Sequence, residues 1–235
     1  MATFIQFLKH IRNNRQHGAS WSDVFLFSTW KKNLQPGVSS VSAQLPWISI
    51  RAVDFLNREV RSDFQVFEYG GGGSTLYWNS RVKKVVTVEH DASWFAVLKE
   101  TMEKNKKCEW TGLFIEPAMG DLVAHPDASE PDHYSSNDEA SKGKNYQAYV
   151  QSVLSYADES FDVILIDGRS RTSCIRDAFP KLKKDGLLIL DNAERLYYSE
   201  KNQEIFKRCF LEVKGMGPVY FSPHFSDTRI YRKLS

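Results

Sequence analysis

The stretch FQVFEYGGGGSTLYW, residues 64–78, decides the fold because it joins a strand pattern to a glycine loop and a helix pattern. Residues 64–69 are rich in aromatic and β-branched side chains, which is typical of a short strand. Four glycines follow, and then Ser74 and Thr75, either of which is suited to cap a helix N-terminus. Glycines let the backbone approach a ligand closely, and a helix N-terminus presents free N–H groups to it. The stretch therefore predicts a strand–loop–helix unit with a ligand-binding loop.

Strand and helix patterns alternate outward from this unit. Further strands are predicted over residues 82–90, 111–117, 161–168 and 186–192, and a final antiparallel pair over 217–221 and 228–234. Helices are predicted over residues 46–60, 74–82, 92–105, 145–157, 172–184 and 199–213. Strands that alternate with helices predict a parallel sheet covered on both faces. The fold class is therefore doubly wound α/β, with a mostly parallel seven-stranded sheet and an antiparallel C-terminal strand.

Composition restricts the class of protein. The chain has 235 residues, of which 42% are hydrophobic and 26% charged, and its formal net charge is +2. These proportions exclude a wholly disordered chain, and the slight charge disfavours nucleic acid and membranes as partners. Three cysteines without a CxxC pair favour a reducing compartment. Because the N-terminus lacks a continuous apolar core like that of a secretion signal, we expect a cytoplasmic protein.

The chain divides unevenly. Residues 1–45 are predicted as an extension of one amphipathic helix and a loop, and residues 46–235 as one domain. Within the domain, residues 122–160 form an insertion with seven acidic residues and two lysines. A loop of this length in a compact domain is usually a lid, a binding loop or a disordered segment. We expect a lid, and a solvated insertion is the alternative.

Glu68 argues against a dinucleotide in the glycine loop. A GxGxxG fingerprint would need its third glycine at position 75, which is Thr75. Glu68 would also place its charge beside a pyrophosphate, and like charges repel. A carboxylate at this point suits a cationic ligand better, such as one with an ammonium and a sulfonium group.

With these residues, the chain resembles the class I S-adenosylmethionine-dependent methyltransferases. Their first motif is an acidic residue, any residue, and then glycine-x-glycine-x-glycine; here it is Glu68-Tyr69-Gly70-Gly71-Gly72-Gly73-Ser74, with serine at the third glycine. Their second motif is an acidic residue at the end of the next strand, which holds the ribose hydroxyls and corresponds to Glu89. The resemblance implies S-adenosyl-L-methionine as cofactor. It implies these binding residues: Glu68, Gly70, Gly71, Gly72, Ser74, Thr75, Glu89 and Asp121, and a cap of a turn is the alternative role of Asp121. His90 follows Glu89, so we expect it to border the ribose or adenine.

The next two strands also end in polar residues. Asp167 follows one, and Asp191 and Asn192 follow the other. Oxygen donors of this kind suit Mg²⁺ or another divalent cation. The arrangement is similar to that of the catechol and caffeoyl-coenzyme A O-methyltransferases, in which such residues hold a metal beside the acceptor. The resemblance therefore implies Asp167, Asp191 and Asn192 as metal ligands.

The lysine that those enzymes use as a base is missing, since the chain has Arg169 and Arg171 after Asp167 and Gly168. Arginine stays protonated and is a poor base, but it binds carboxylate and phosphate groups well. We expect Asp167 and Arg169 to be catalytic. A metal-independent enzyme with an anionic acceptor held by Arg169 and Arg171 is the alternative.

The sequence thus predicts a methyltransferase that modifies a small molecule, with a hydroxyl oxygen as acceptor. Two other classes stay open: a nucleotide-dependent oxidoreductase, and a non-catalytic binding protein on the same fold. Binding of nucleic acid is disfavoured because an acidic insertion would repel phosphates. The sequence leaves open whether the chain forms a homodimer.

Overall fold

The structure is a computed structural model that describes residues 3–120 and 122–234. The strands are β1 (Gln65–Tyr69), β2 (Lys84–Glu89), β3 (Glu109–Phe114), β4 (Ala118–Met119), β5 (Lys144–Asn145), β6 (Phe161–Ile166), β7 (Leu182–Leu190), β8 (Cys209–Val213), β9 (Met216–Pro218), β10 (Phe225–Asp227) and β11 (Arg229–Lys233). The α-helices are α1 (Phe4–Asn13), α2 (Phe27–Lys32), α3 (Ser40–Ala43), α4 (Ile50–Glu59), α5 (Gly73–Asn79), α6 (Ala92–Lys104), α7 (Gln147–Gln151), α8 (Arg171–Ala178) and α9 (Gln203–Phe206).

Seven of the described strands form one sheet in the order β3-β2-β1-β6-β7-β11-β8. The five strands from β3 to β7 are parallel. β11 is antiparallel to both of its neighbours, β7 and β8. The predicted doubly wound, mostly parallel sheet with an antiparallel C-terminal strand is confirmed.

Helices cover both faces of the sheet. Successive side chains of its central strands point to opposite sides, so they pack in two separate clusters. Val66 and Val163 pack in one apolar cluster, with helices α1 and α4. Their neighbours Phe67 and Ile164 pack in a second cluster, with helix α8. Continuous apolar runs such as VILI are therefore needed in the middle of the sheet.

The residues before 46 share the first of these clusters. Phe7, Ile11 and Trp30 are buried against the same side chains that cover the sheet. Trp30 also donates its indole N–H to the carbonyl of Ser222, at 2.8 Å. The N-terminal segment therefore contributes to the main core.

The helix predicted over residues 199–213 is wrong in its second half. Helix α9 ends at Phe206, and Cys209–Val213 form β8, the outer strand beside β11. The predicted pairing of 217–221 with the last strand is also wrong, since Met216–Pro218 pairs with β10 in a separate small sheet. The apolar residues of Cys209–Val213 are compatible with a helix and with a strand. They form a strand because the edge of β11 offers backbone groups for pairing.

The acidic insertion is anchored to helix α8. The hydroxyl of Thr172 donates to the carbonyl of Ala128 at 2.7 Å, and Arg176 donates to the hydroxyl of Tyr134 at 2.7 Å. Tyr134 itself is buried in the second cluster. The insertion is therefore packed on the domain, and its role as a lid stays a prediction.

Helices long and apolar enough to cross a membrane do not occur among the described residues.

Candidate active site

The five parallel strands end at one edge of the sheet, and the candidate site lies there. Strands β1, β2, β3, β6 and β7 end at Tyr69, Glu89, Phe114, Ile166 and Leu190. In open α/β sheets, ligands bind in the crevice at the carboxyl ends of the strands. The described residues at this edge line three cavities.

The glycine-loop cavity has a volume of about 250 Å³. It is lined by Ser40, Trp47, Gly70, Gly71, Gly72, Gly73, Ser74, Glu89, His90, Trp94, Asp167, Gly168 and Arg169. The predicted binding residues Gly70, Gly71, Gly72, Ser74, Glu89 and His90 therefore share one cavity. Asp121, also predicted to bind the cofactor, lies outside the described residues.

The glycine loop needs glycine at two positions for different reasons. Gly70 has a φ of +86°, and a Cβ there would lie 3.1 Å from the Cα of Gly168. At Gly73 a Cβ would lie 2.2 Å from the carbonyl oxygen of Leu45 and 2.4 Å from that of Ser40. The loop is thus enclosed by the turn after β6 on one side and by the N-terminal segment on the other.

Glu68 and Thr75 lie behind the loop, and neither lines the glycine-loop cavity. The Thr75 hydroxyl donates to a Glu68 carboxylate oxygen, which also accepts from the Thr87 hydroxyl at 2.8 Å. The same Thr75 hydroxyl accepts the backbone N–H of Gly72 at 3.0 Å. Direct contact of Glu68 and Thr75 with a cofactor, which we expected, does not fit this arrangement. Instead, the buried pair fixes the shape of the loop.

Burial raises the pKa of Glu68 to about 7, although hydrogen bonds from Thr75, Ser74 and Thr87 oppose that shift. A buried carboxyl keeps its proton to higher pH because its charged form loses solvation.

Glu89 forms the floor of the glycine-loop cavity. Its Oε2 accepts the backbone N–H of Gly71 at 3.0 Å, and its Oε1 accepts those of His90 and Asp91 at 2.7 and 3.0 Å. Burial raises the pKa of Glu89, but hydrogen bonds from His90 and Asp91 outweigh this effect and hold the pKa below its usual value. The carboxylate is therefore charged and fixed in place at neutral pH.

Two tryptophans, Trp47 and Trp94, also line the glycine-loop cavity, and neither was predicted as a binding residue. Trp94, in the first turn of α6, donates its indole N–H to the carbonyl of Gly71 at 2.7 Å. Trp47 is 54% exposed and lies just before α4. A signal for Trp94 was present in the sequence, since it lies five residues after Glu89, at the start of the helix predicted over residues 92–105. Trp47 gave no such signal, because the segment before β1 reaches the loop only in the folded chain.

The His90 cavity, of about 620 Å³, adjoins the first. It is lined by His90, Asp91, Ala92, Ser93, Glu116, Pro117, Met119, Ala140, Lys144, Tyr146 and Arg169. His90 and Arg169 line both cavities, so the two form one cleft across the ends of β1, β2 and β3.

Arg169 belongs to this cleft. Its Nε lies 3.3 Å from His90 Nε2, and its Nη1 lies 3.2 Å from a carboxylate oxygen of Asp138 in the acidic insertion. The predicted contact of Arg169 with an acceptor stays a prediction. Arg169 connects the insertion to the glycine-loop cavity.

The Asp191 cavity, of about 440 Å³, lies on the other side of Asp167. It is lined by Trp47, Asp167, Asp191, Asn192, Glu194, Val219, Ser222, His224, Phe225 and Ser226. Trp47 and Asp167 line both this cavity and the glycine-loop cavity. A molecule in the Asp191 cavity would therefore lie beside a molecule in the glycine-loop cavity.

Arg171 is buried between the two aspartates. It donates to Asp167 Oδ1 at 2.9 Å, and its Nη1 lies 3.9 Å from Asp191 Oδ2. Its remaining hydrogen bonds go to the backbone carbonyls of Asp191, Gly168 and Asp167. Burial and the charge of Asp167 raise the pKa of Asp191 to about 8. Arg171 thus neutralises part of a buried acidic pair. The alternative had Arg171 bind an anionic acceptor, and these contacts direct its guanidinium elsewhere.

A divalent cation does not fit this donor set. The guanidinium of Arg171 already occupies the position from which a cation would contact both carboxylates. Asp191 Oδ1 also accepts the hydroxyl of Thr228, at 2.6 Å. No group of three or more His, Cys, Asp or Glu side chains suited to a metal occurs in the described part of the chain. The structure brings Asp167, Asp191 and Asn192 together, but as the wall of a cavity.

The strand order and the single reversed strand define the Rossmann-like methyltransferase fold. A methyltransferase from Geobacter sulfurreducens is similar to this chain with a TM-score of 0.52 and 14% identity, over 89% of this chain and 96% of the other. A protein from Streptococcus mutans in complex with S-adenosylhomocysteine (SAH) is similar with a TM-score of 0.52 and 11% identity, over 77% and 96%. At such identities the likeness defines the fold alone. No protein-family model and no curated protein sequence matches the chain.

Proposed function

We propose that this protein is an S-adenosylmethionine-dependent methyltransferase that modifies a hydroxyl oxygen of a small molecule. The observation that carries the proposal is the glycine-loop cavity, in which the loop after β1 and the charged Glu89 at the end of β2 face one space. The adjoining Asp191 cavity supplies a separate position for a second molecule.

The residues present fit the donor. Gly72 and Trp94 both line the cavity, and a Cβ placed at Gly72 would be in van der Waals contact with the Trp94 ring, 3.6 Å away, so the loop and the indole border the same space. Glu89 carries a fixed negative charge, and its Oε2, which accepts the Gly71 N–H, keeps acceptor capacity for a ribose hydroxyl. The His90 cavity, at the end of β3, extends the same cleft to hold a planar base.

Asp167 is the residue at which the two molecules would meet, because it lines both cavities. Bound S-adenosylmethionine supplies a methyl group on sulfur; the acceptor oxygen bonds to that methyl while the carbon–sulfur bond breaks and leaves its electron pair on sulfur. The protein must hold the three reacting atoms in line, with the attacking oxygen about 3 Å from the methyl carbon. Asp167 accepts the hydroxyl proton, and its raised pKa, caused first by burial, makes it a better base. No step uses a metal.

Calorimetric titration with SAH tests the proposal. We expect binding by the parent protein, and binding at least tenfold weaker in Glu89→Gln, because that change removes the charge from the cavity floor. The matched control is Glu109→Gln, which changes an exposed carboxylate at the start of β3, on the opposite edge of the sheet. Its SAH affinity should equal that of the parent.

Thermal unfolding of each variant establishes that it is folded. The proposal would be wrong if millimolar SAH gave neither heat nor a thermal shift with the parent. Equal affinities for the parent and Glu89→Gln would also contradict the assigned role of Glu89. Once an acceptor is found, methyl transfer should persist in EDTA.

A further inference from the structure

The Asp191 cavity is lined by three carboxyl groups, those of Asp167, Asp191 and Glu194, and by the imidazole of His224. Its described lining contains no lysine or arginine. The nearest guanidinium, that of Arg171, is buried and already bonded to the two aspartates and to backbone carbonyls. Since Arg171 offsets Asp167 and the raised pKa of Asp191 keeps its proton on at neutral pH, Glu194 is the carboxylate that presents an uncompensated negative charge to a ligand.

Glu194 is the carboxylate best placed to contact a ligand. Its side chain is exposed, and its Oε2 accepts the backbone N–H of Asp227 at 2.9 Å, which fixes the carboxylate at the wall. Asp191, in contrast, is buried and bonded to Thr228. The charged group of a ligand would thus bind at the Glu194 side, away from the glycine-loop cavity.

Aromatic rings complete the lining. Trp47 and Phe225 are both part of the wall. Faces of aromatic rings attract cations, and tryptophan does so most strongly. The rings and the carboxylates therefore favour the same kind of ligand.

We infer that the acceptor carries a cationic nitrogen group, an ammonium or guanidinium, which binds at Glu194 while the hydroxyl lies at Asp167. This inference rests on the proposed function, and it names the class of molecule that the Asp191 cavity takes. It replaces the anionic acceptor that the two arginines had suggested.

The test uses the full chain saturated with SAH and matched pairs of small hydroxyl compounds. Ethanolamine is compared with glycolate, and tyramine with 3-(4-hydroxyphenyl)propionate, so that each pair differs in the sign of its charge. We expect at least one of the two amines, and neither acid, to bind in calorimetry. Added salt should weaken that binding, because charge attraction drives it.

Glu194→Gln should weaken binding of that amine at least tenfold. Its SAH affinity should match the parent's, because Glu194 does not line the glycine-loop cavity. The control Glu200→Gln changes an exposed carboxylate that does not line the Asp191 cavity, and should bind the amine as the parent does.

Binding of the acids in preference to the amines would overturn the inference, and so would a failure of both amines to bind the SAH-loaded protein. An unchanged amine affinity in Glu194→Gln would overturn the role of Glu194. If the parent does not bind SAH at all, the proposed function itself fails, which the SAH titration shows separately.

Discussion

At the scale of single residues, the candidate site depends on carboxylates with opposite pKa shifts. Glu89 accepts three backbone N–H groups and keeps a pKa below its usual value, so it is charged in the cavity. Glu68 is fully buried behind the glycine loop, and burial raises its pKa to about 7. The acidic residue of the first motif therefore shapes the loop, and that of the second faces the ligand.

The raised pKa of Glu68 predicts a pH-dependent stability. Between the ordinary pKa of 4.5 and about 7, the native protein holds a proton that the unfolded chain has lost. The free energy of unfolding therefore falls as pH rises through this window, by roughly 3–4 kcal/mol, and levels off above it. Glu68→Gln cannot titrate, so its stability relative to the parent should increase by that amount across the window.

Urea denaturation of both proteins at a series of pH values measures this difference, and titrations common to both cancel. A stability gap that does not change with pH would show that Glu68 keeps an ordinary pKa.

At the scale of elements, Arg171 holds two strand ends together. It starts helix α8 and bonds to the turn after β6 and to the backbone carbonyl of Asp191, directly after β7. Its guanidinium and both carboxylates are largely buried. Removal of one member of such a cluster leaves uncompensated charge in a region with little water.

Arg171→Met is therefore expected to lower the free energy of unfolding by about 3–5 kcal/mol. The control is Arg61→Met, since Arg61 and its partner Asp63 are 70% and 72% exposed. Surface pairs of this kind contribute at most about 1 kcal/mol. Chemical denaturation of both variants gives the comparison, and similar losses in the two would contradict the role of Arg171.

At the scale of the whole molecule, the N-terminal segment and the sheet share one core. Phe7 is fully buried, and its ring centroid lies 5.3 Å from that of Phe225 in β10, on the wall of the Asp191 cavity. The carbonyl oxygens of Ser40 and Leu45 also enclose the glycine loop at Gly73. The first 45 residues thus support both cavities.

Phe7→Ala should lower the free energy of unfolding by about 3–5 kcal/mol, the usual result of removing a buried aromatic side chain. Phe25→Ala provides the control in the same segment, because Phe25 is 85% exposed. That change should stay within about 0.5 kcal/mol. Urea denaturation followed by tryptophan fluorescence measures both. An equal, small effect of the two changes would mean that the segment folds apart from the sheet.

The sequence by itself determined the parallel part of the sheet and the strand ends that border the candidate site. Continuous apolar runs such as residues 163–166 are compatible only with burial on both faces, and the glycines at 70–73 mark the turn. These signals are local, so they can be read along the chain. They predicted Gly70, Glu89, Asp167 and Asp191 at one edge of the sheet, and the structure places them there.

Only the tertiary structure decided which groups face which cavity. Arg171 lies four residues after Asp167, yet its contact with Asp191 depends on how β6 and β7 pair. Trp47 lines both cavities because the segment before α4 packs beside the glycine loop. Cys209–Val213 form a strand because they pair with β11. Charge neutralisation, burial and strand pairing are interactions between parts of the chain far apart in sequence, and local patterns do not encode their partners.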